Sequence, residues 1–169
     1  MIVRAFRLAK PRHAAHAWSG EGARVHGGRW NAPGTRVVYA SGSVALAALE
    51  LLVHLETPVL LDAYDLHEAR FDSRLVVTLP PHALPEDWRS DPAPPSVRAL
   101  GDGWVRRSES AVLRVPSAVV AEEPNYLLNP DHRRFREVER LRPRRFRFDP
   151  RLAPAPAEPA AGRRPGRPR

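Results

Sequence analysis

Residues 36–58 read Arg36-Val37-Val38-Tyr39-Ala40-Ser41-Gly42-Ser43-Val44-Ala45-Leu46-Ala47-Ala48-Leu49-Glu50-Leu51-Leu52-Val53-His54-Leu55-Glu56-Thr57-Pro58, and two periodicities meet inside them. The first five residues are rich in β-branched and aromatic side chains and follow the turn signal Asn31-Ala32-Pro33-Gly34, which predicts a strand over 36–40. Ser41 or Ser43 can then cap a helix, because a serine oxygen accepts an orphan backbone N–H of the first turn. Leu46, Leu49, Leu52 and Val53 repeat at helical spacing, and Pro58 stops the element. A strand that runs straight into an amphipathic helix sets the frame for the rest of the chain.

Outward from this unit, short strands outnumber helices. Residues 59–66 begin continuously apolar and end in alternation, as a largely buried strand does. Further strands are expected over 2–8, 75–78, 110–115 and in the run 135–148, which Pro143 breaks. A second helix is expected after Pro94-Pro95-Ser96, carrying Val97, Leu100 and Trp104. Six prolines between Pro80 and Pro95 make that stretch a surface connection, with at most one turn around 83–88. No internal repeat is visible. The sum is an α+β domain in which a small mixed or antiparallel sheet is flanked by a few helices.

Composition bounds the function. At 169 residues and 18.9 kDa the chain fits one domain. A hydrophobic fraction of 43% is ordinary for a folded protein and excludes wholesale disorder. With no cysteine, disulfide scaffolds, thiolate zinc sites and cysteine nucleophiles are excluded. No apolar run approaches the ~18–20 residues of a membrane span, and the first residues lack a signal-peptide core, so a soluble cytoplasmic protein is expected. The net charge is +8, and every basic residue except Lys10 is an arginine, a ratio that reflects a GC-rich genome more than a binding task. Residues 151–169 carry half of that charge in a proline-rich stretch without apolar periodicity, which reads as a tail. An arginine-rich nucleic-acid-binding protein is therefore a remote alternative.

Three clusters can carry chemistry. In Gly27-Gly28-Arg29-Trp30-Asn31-Ala32-Pro33-Gly34, two glycines allow close backbone approach and Arg29 offers a planar charged fork suited to a diphosphate. Tyr39-Ala40-Ser41 leads into the helix holding Glu50, a carboxylate among Ala47, Ala48, Leu49, Leu51 and Leu52 that demands a partner, either Arg29 or a ligand hydroxyl. His54 lies one turn on and reads as a surface neighbour. The third cluster is Leu113-Arg114-Val115-Pro116-Ser117 with Asn125-Tyr126-Leu127-Leu128-Asn129-Pro130-Asp131-His132, where the polar residues read as turn formers beside proline. Nucleotide-loop, hydrolase-elbow and zinc-protease signatures are absent, and seven histidines without ligand spacing make no case for a metal.

Taken together these clusters resemble the RES family, named for its arginine, glutamate and serine, which supplies toxins of bacterial toxin–antitoxin pairs. Arg7-Leu8, Gly22-Ala23-Arg24, the glycine turn, Val38-Tyr39-Ala40-Ser41, Ala45-Leu46-Ala47-Ala48-Leu49-Glu50, the Ser117 and Asn125 to His132 segments, and Phe148-Asp149-Pro150-Arg151-Leu152 follow in family-like order and spacing. The resemblance covers residues 2–152 and implies a RES domain over 1–152 with a Pro/Arg-rich, disordered tail over 153–169. It implies a fold related to ADP-ribosyltransferase toxins and NAD⁺ as substrate, with no prosthetic group. It places Arg29, Glu50 and Ser117 as catalytic residues, and Arg7, Arg29, Tyr39, Ser41, Ser117 and Asn129 in dinucleotide binding. It implies cleavage of the nicotinamide–ribose bond by water or phosphate, or transfer of ADP-ribose to a protein. Finally it implies a cognate Xre-type antitoxin as partner, which would make the DNA contacts.

Overall fold

The computed structural model describes residues 1–54 and 64–152. In chain order they form β1 (Ile2–Ala9), α1 (Glu21–His26), β2 (Val38–Ser41), α2 (Val44–Leu52), β3 (Tyr64–Asp72), β4 (Val76–Thr78), α3 (Pro95–Arg107), β5 (Val112–Pro116), β6 (Pro124–Leu128), β7 (Glu139–Arg140) and β8 (Arg144–Phe146), joined by short 3-10 turns. The strands make one sheet in the order β4-β5-β6-β2-β1-β3-β7, with β8 also on β3. Among the described residues β4 and β5 run parallel and every other strand pairing is antiparallel. The α+β class expected from the sequence is what the chain adopts, with a larger sheet than expected.

Both faces of the central strands are covered, and strand alternation explains how. Val38, Val112 and Leu128 point into a core with Ala5, Phe71 and Leu75, while Leu113, Val115 and Leu127 point the other way, onto Trp30, Val97 and Trp104. Helix α3 closes that second face through Val97, Gly101 and Trp104, spaced four and three residues apart so that they share one side. The buried Trp104 indole donates to Ser110 Oγ at 2.9 Å, which satisfies its one polar atom. Gly101 is forced by contact: a Cβ there would overlap the carbonyl of Trp30.

Several expectations are redrawn. Pro58 and residues 59–63 lie outside the described residues, so the strand expected over 59–66 is met only at Tyr64; the described strand runs on to Asp72, with Glu68 and Arg70 alternating with buried Ala69 and Phe71. The run 135–148 resolves into a 3-10 turn, Arg133–Glu137, followed by the short strands β7 and β8. Helix α1 and strand β6 were not expected. Pro124, Asn129 and Pro130 give 124–130 the look of a turn, yet Asn125–Leu128 are all buried between β2 and β5. The tail, 153–169, also lies outside the described residues. Among the described residues no helix is long and apolar enough to cross a membrane.

Candidate active site

Helix α2 delivers Glu50. Ser43, not Ser41, is its cap: Oγ accepts the Leu46 N–H at 3.0 Å and donates to Glu123 Oε2 at 2.7 Å. The helix is phased differently from the expected stripe. Leu46 and Ala47 are buried, whereas Leu49 and Val53 are 40% and 58% exposed. Glu50, one turn past Leu46 and Ala47, therefore faces inward. An inward carboxylate must be hydrogen-bonded, and both of its partners come from the far end of the chain. Ser117 Oγ donates to Glu50 Oε1 at 2.7 Å, and Asn125 Nδ2 donates to the same oxygen at 2.5 Å. Oε2 accepts nothing among the described residues.

Ser117 has no capacity left for a ligand. Fully buried just after β5, its hydroxyl spends its proton on Glu50 and its lone pairs on the Val119 and Val120 N–H groups, each at 3.0 Å. The catalytic and dinucleotide-binding placement implied by the resemblance would therefore need Ser117 to give up one of these bonds; as it stands, its hydroxyl holds Glu50.

The glycine turn is built around Asn31 and Tyr39. Asn31 is fully buried and donates to the carbonyls of Ala23, Ala32 and Thr35. Its Oδ1 accepts the Tyr39 hydroxyl at 2.6 Å, and the Tyr39 oxygen in turn accepts the Trp30 N–H at 3.0 Å. Burial pushes the Tyr39 phenol well above its ordinary pKa, against a smaller opposing effect of the Trp30 N–H, so it stays neutral. Gly28 is required here, since a Cβ would overlap the Tyr39 hydroxyl.

Two arginines bring charge to this turn. Arg7 donates from Nη1 to the Tyr39 carbonyl at 3.0 Å, while its buried Nε has no partner among the described residues. Burial lowers its pKa from the ordinary guanidinium value. Of the two partners expected for Glu50, Arg29 or a ligand hydroxyl, Arg29 is not bonded to it. Its Nη1 donates to the carbonyls of Trp88 and Ser90, at 2.9 and 2.8 Å, so it holds the proline-rich connection instead. That connection is also tied by Arg89, which donates to the Ala118 carbonyl at 3.0 and 3.2 Å, and by Trp88 against Trp30, with ring centroids 6.3 Å apart.

Arg7, Arg29, Tyr39, Ser41 and Glu50 nevertheless line one cavity of about 800 Å³, together with Asn125, Arg89 and Arg98. Ser41 enters it from the end of β2, in register with Phe6 on one side and Asn125 on the other. Asn129 does not belong to it. Its backbone N–H bonds Ala111 and its Oδ1 accepts the Asp131 N–H, which makes it the turn former that its proline neighbour suggests. The arrangement sets the unbonded Glu50 oxygen in a cavity lined by four arginines and by two further acidic residues, Glu21 and Asp91, a mixed lining that can hold an anionic ligand carrying a centre that turns positive. Asn125, which the sequence reads as a turn former, lines the cavity, and Asn31, to which the sequence gives no role, supports the glycine turn behind it. Neither stood out locally: Asn125 opens a run with no polar–apolar alternation beside Pro124, and Asn31 reads as part of the turn signal Asn31-Ala32-Pro33-Gly34.

The RES domain family matches residues 4–149. A toxin named Toxin Res from Yersinia enterocolitica is 39% identical over 148 residues, covering 87% of this chain and 97% of that protein. A Prs ADP-ribosylating toxin from Sphingobium is 38% identical over 139 residues, covering 79% and 85%. A chain of the crystal structure of the M. tuberculosis MbcT–MbcA toxin–antitoxin complex superposes with a TM-score of 0.72 at 20% identity, over 87% of this chain and 85% of that one. At that identity the superposition speaks for the fold alone. Matched along nearly its whole described length by the family and by relatives more than a third identical, the chain belongs to the RES domain family.

Proposed function

We propose that this chain is the toxin of a toxin–antitoxin pair and that it consumes NAD⁺ by breaking the nicotinamide–ribose bond. The observation that carries the reading is Glu50: a carboxylate clamped through one oxygen, with the other turned toward a cavity lined by Arg7, Arg29, Arg89 and Arg98. Bond cleavage leaves positive charge on the ribose, an oxocarbenium-like state akin to that of glycoside hydrolysis. Glu50 Oε2 is placed to stabilise that charge as it develops, through hydrogen bonds to the ribose hydroxyls. Arg7 and the N–H groups of Arg29 at Nε and Nη2 supply donors for the diphosphate. The Tyr39 ring, its hydroxyl tied to Asn31, is a rigid face for nicotinamide to stack on. Nicotinamide departs neutral, so no protein nucleophile is needed, and water or phosphate completes the sugar. Such a toxin acts in the cytoplasm, where NAD⁺ is found.

The names of the relatives support the toxin reading, and the solved toxin–antitoxin complex supports an antitoxin partner. An Xre-type antitoxin with a carboxylate-bearing segment would complement the arginines of the cavity. A protein acceptor for ADP-ribose is the second reading, favoured by the ADP-ribosylating relative. Nicotinamide release from NAD⁺ by the purified chain tests the first step common to both. Glu50→Gln is expected to slow it by about 10²–10³-fold, the usual scale for a lost transition-state contact, and Glu50→Ala at least as much. Equal rates in wild type and both variants overturn the proposal. Labelled ADP-ribose appearing on a discrete lysate protein, and not free in solution, identifies the second reading.

A further inference from the structure

Asn125 stands at the centre of the sheet, in register with Ser41 on β2 and Val115 on β5, so its backbone is held from both sides. The residue is 9% exposed. Its amide meets Glu50 across 75 positions of sequence. The carboxylate can only accept from an amide, so the group facing Glu50 is the NH₂, and Oδ1 is turned the opposite way. That Oδ1 is buried and without a partner among the described residues. A residue kept for packing alone would be apolar here, as Tyr126, Leu127 and Leu128 beside it largely are; an unsatisfied acceptor is retained only with the donor that accompanies it.

The donor has a directional use. Ser117 reaches Oε1 from the turn after β5, and Asn125 reaches the same oxygen from β6. One hydrogen bond would let the carboxyl group rotate about its last torsion, which is intrinsically broad. Two bonds converging on one oxygen from different elements leave the second oxygen a single direction, into the cavity. From this geometry we infer that Asn125 is a positioning residue of the reaction, whose side-chain N–H aims the Glu50 carboxylate at the substrate sugar. The inference rests on the NAD⁺ reading above.

The test is steady-state nicotinamide release by the purified full chain carrying Asn125→Ala, Asn125→Asp or Glu50→Gln, each checked for folding by circular dichroism. Asn125→Ala removes the donor and leaves space; Asn125→Asp keeps the shape and replaces the donor with an acceptor. Both are expected to lower kcat by about 10–100-fold, the scale for a hydrogen bond to a charged group, with KM within about threefold of wild type. A kcat within twofold of wild type in either folded variant overturns the inference, as does a loss carried by KM. If only one variant folds, that one decides. Should Glu50→Gln turn over NAD⁺ at the wild-type rate, the NAD⁺ reading itself falls; an inert Glu50→Gln beside fully active Asn125 variants removes only the role of Asn125.

Discussion

His67 shows how much one buried side chain can reveal. It is 2% exposed, is paired in register with Arg7 across β1 and β3, and has Trp18 edge-on at 6.3 Å. Its Nε2 has no partner among the described residues. Burial first, then the Arg7 charge, lowers its pKa below the ordinary 6.5, with Asp65 opposing. The folded state therefore binds fewer protons than the unfolded chain as pH falls through that value, and stability falls with it. The melting temperature is expected to rise from about pH 5.5 to 7.5 in wild type and to change less over that window in His67→Phe. Thermal scans at fixed ionic strength check it; identical slopes would count against the assignment. The same scale marks what was legible in the sequence. That Glu50 needs a partner follows from the apolar residues around it, whereas Ser117 and Asn125 lie 67 and 75 positions away and only the sheet brings them near.

Among the elements, α3 was legible because its start after Pro94 and its apolar spacing agree, and it forms as expected. Helix α2 was legible in extent but not in phase. Leucines at 46, 49, 51 and 52 surround much of the helix, so hydrophobic pattern alone cannot choose which face the sheet covers. Strand β6 was hidden by its flanking prolines, and α1 by being six residues long without a hydrophobic stripe. Helix α3 meets the glycine turn closely at Gly101, whose Cα faces the Trp30 carbonyl. Gly101→Ala places a methyl group onto backbone and cannot be relieved by a rotamer change. It should destabilise the fold by about 1–3 kcal/mol despite the better helix propensity of alanine, lowering the melting temperature by roughly 2–12 °C. Gly22→Ala, in α1 with nothing within 4 Å, is the matched control and should cost nothing comparable. Chemical denaturation of the two variants side by side decides the point.

For the whole molecule, the order β4-β5-β6-β2-β1-β3-β7 puts the strands that supply the site in the middle of the sheet, with cores packed against both faces. Central, doubly covered strands open only with the global transition. NAD⁺ turnover and far-ultraviolet circular dichroism are therefore expected to be lost at the same urea concentration; activity vanishing well before the dichroism would mean the site melts separately. The sheet order also separates the chemistry in time. Glu50 leaves the ribosome in the first third of the chain, but the residues that aim it, Ser117 and Asn125, emerge in the last third. A chain cut short before β6 carries the Glu50 carboxylate without either of its hydrogen-bond partners, and under the proposed mechanism it is expected to be inactive.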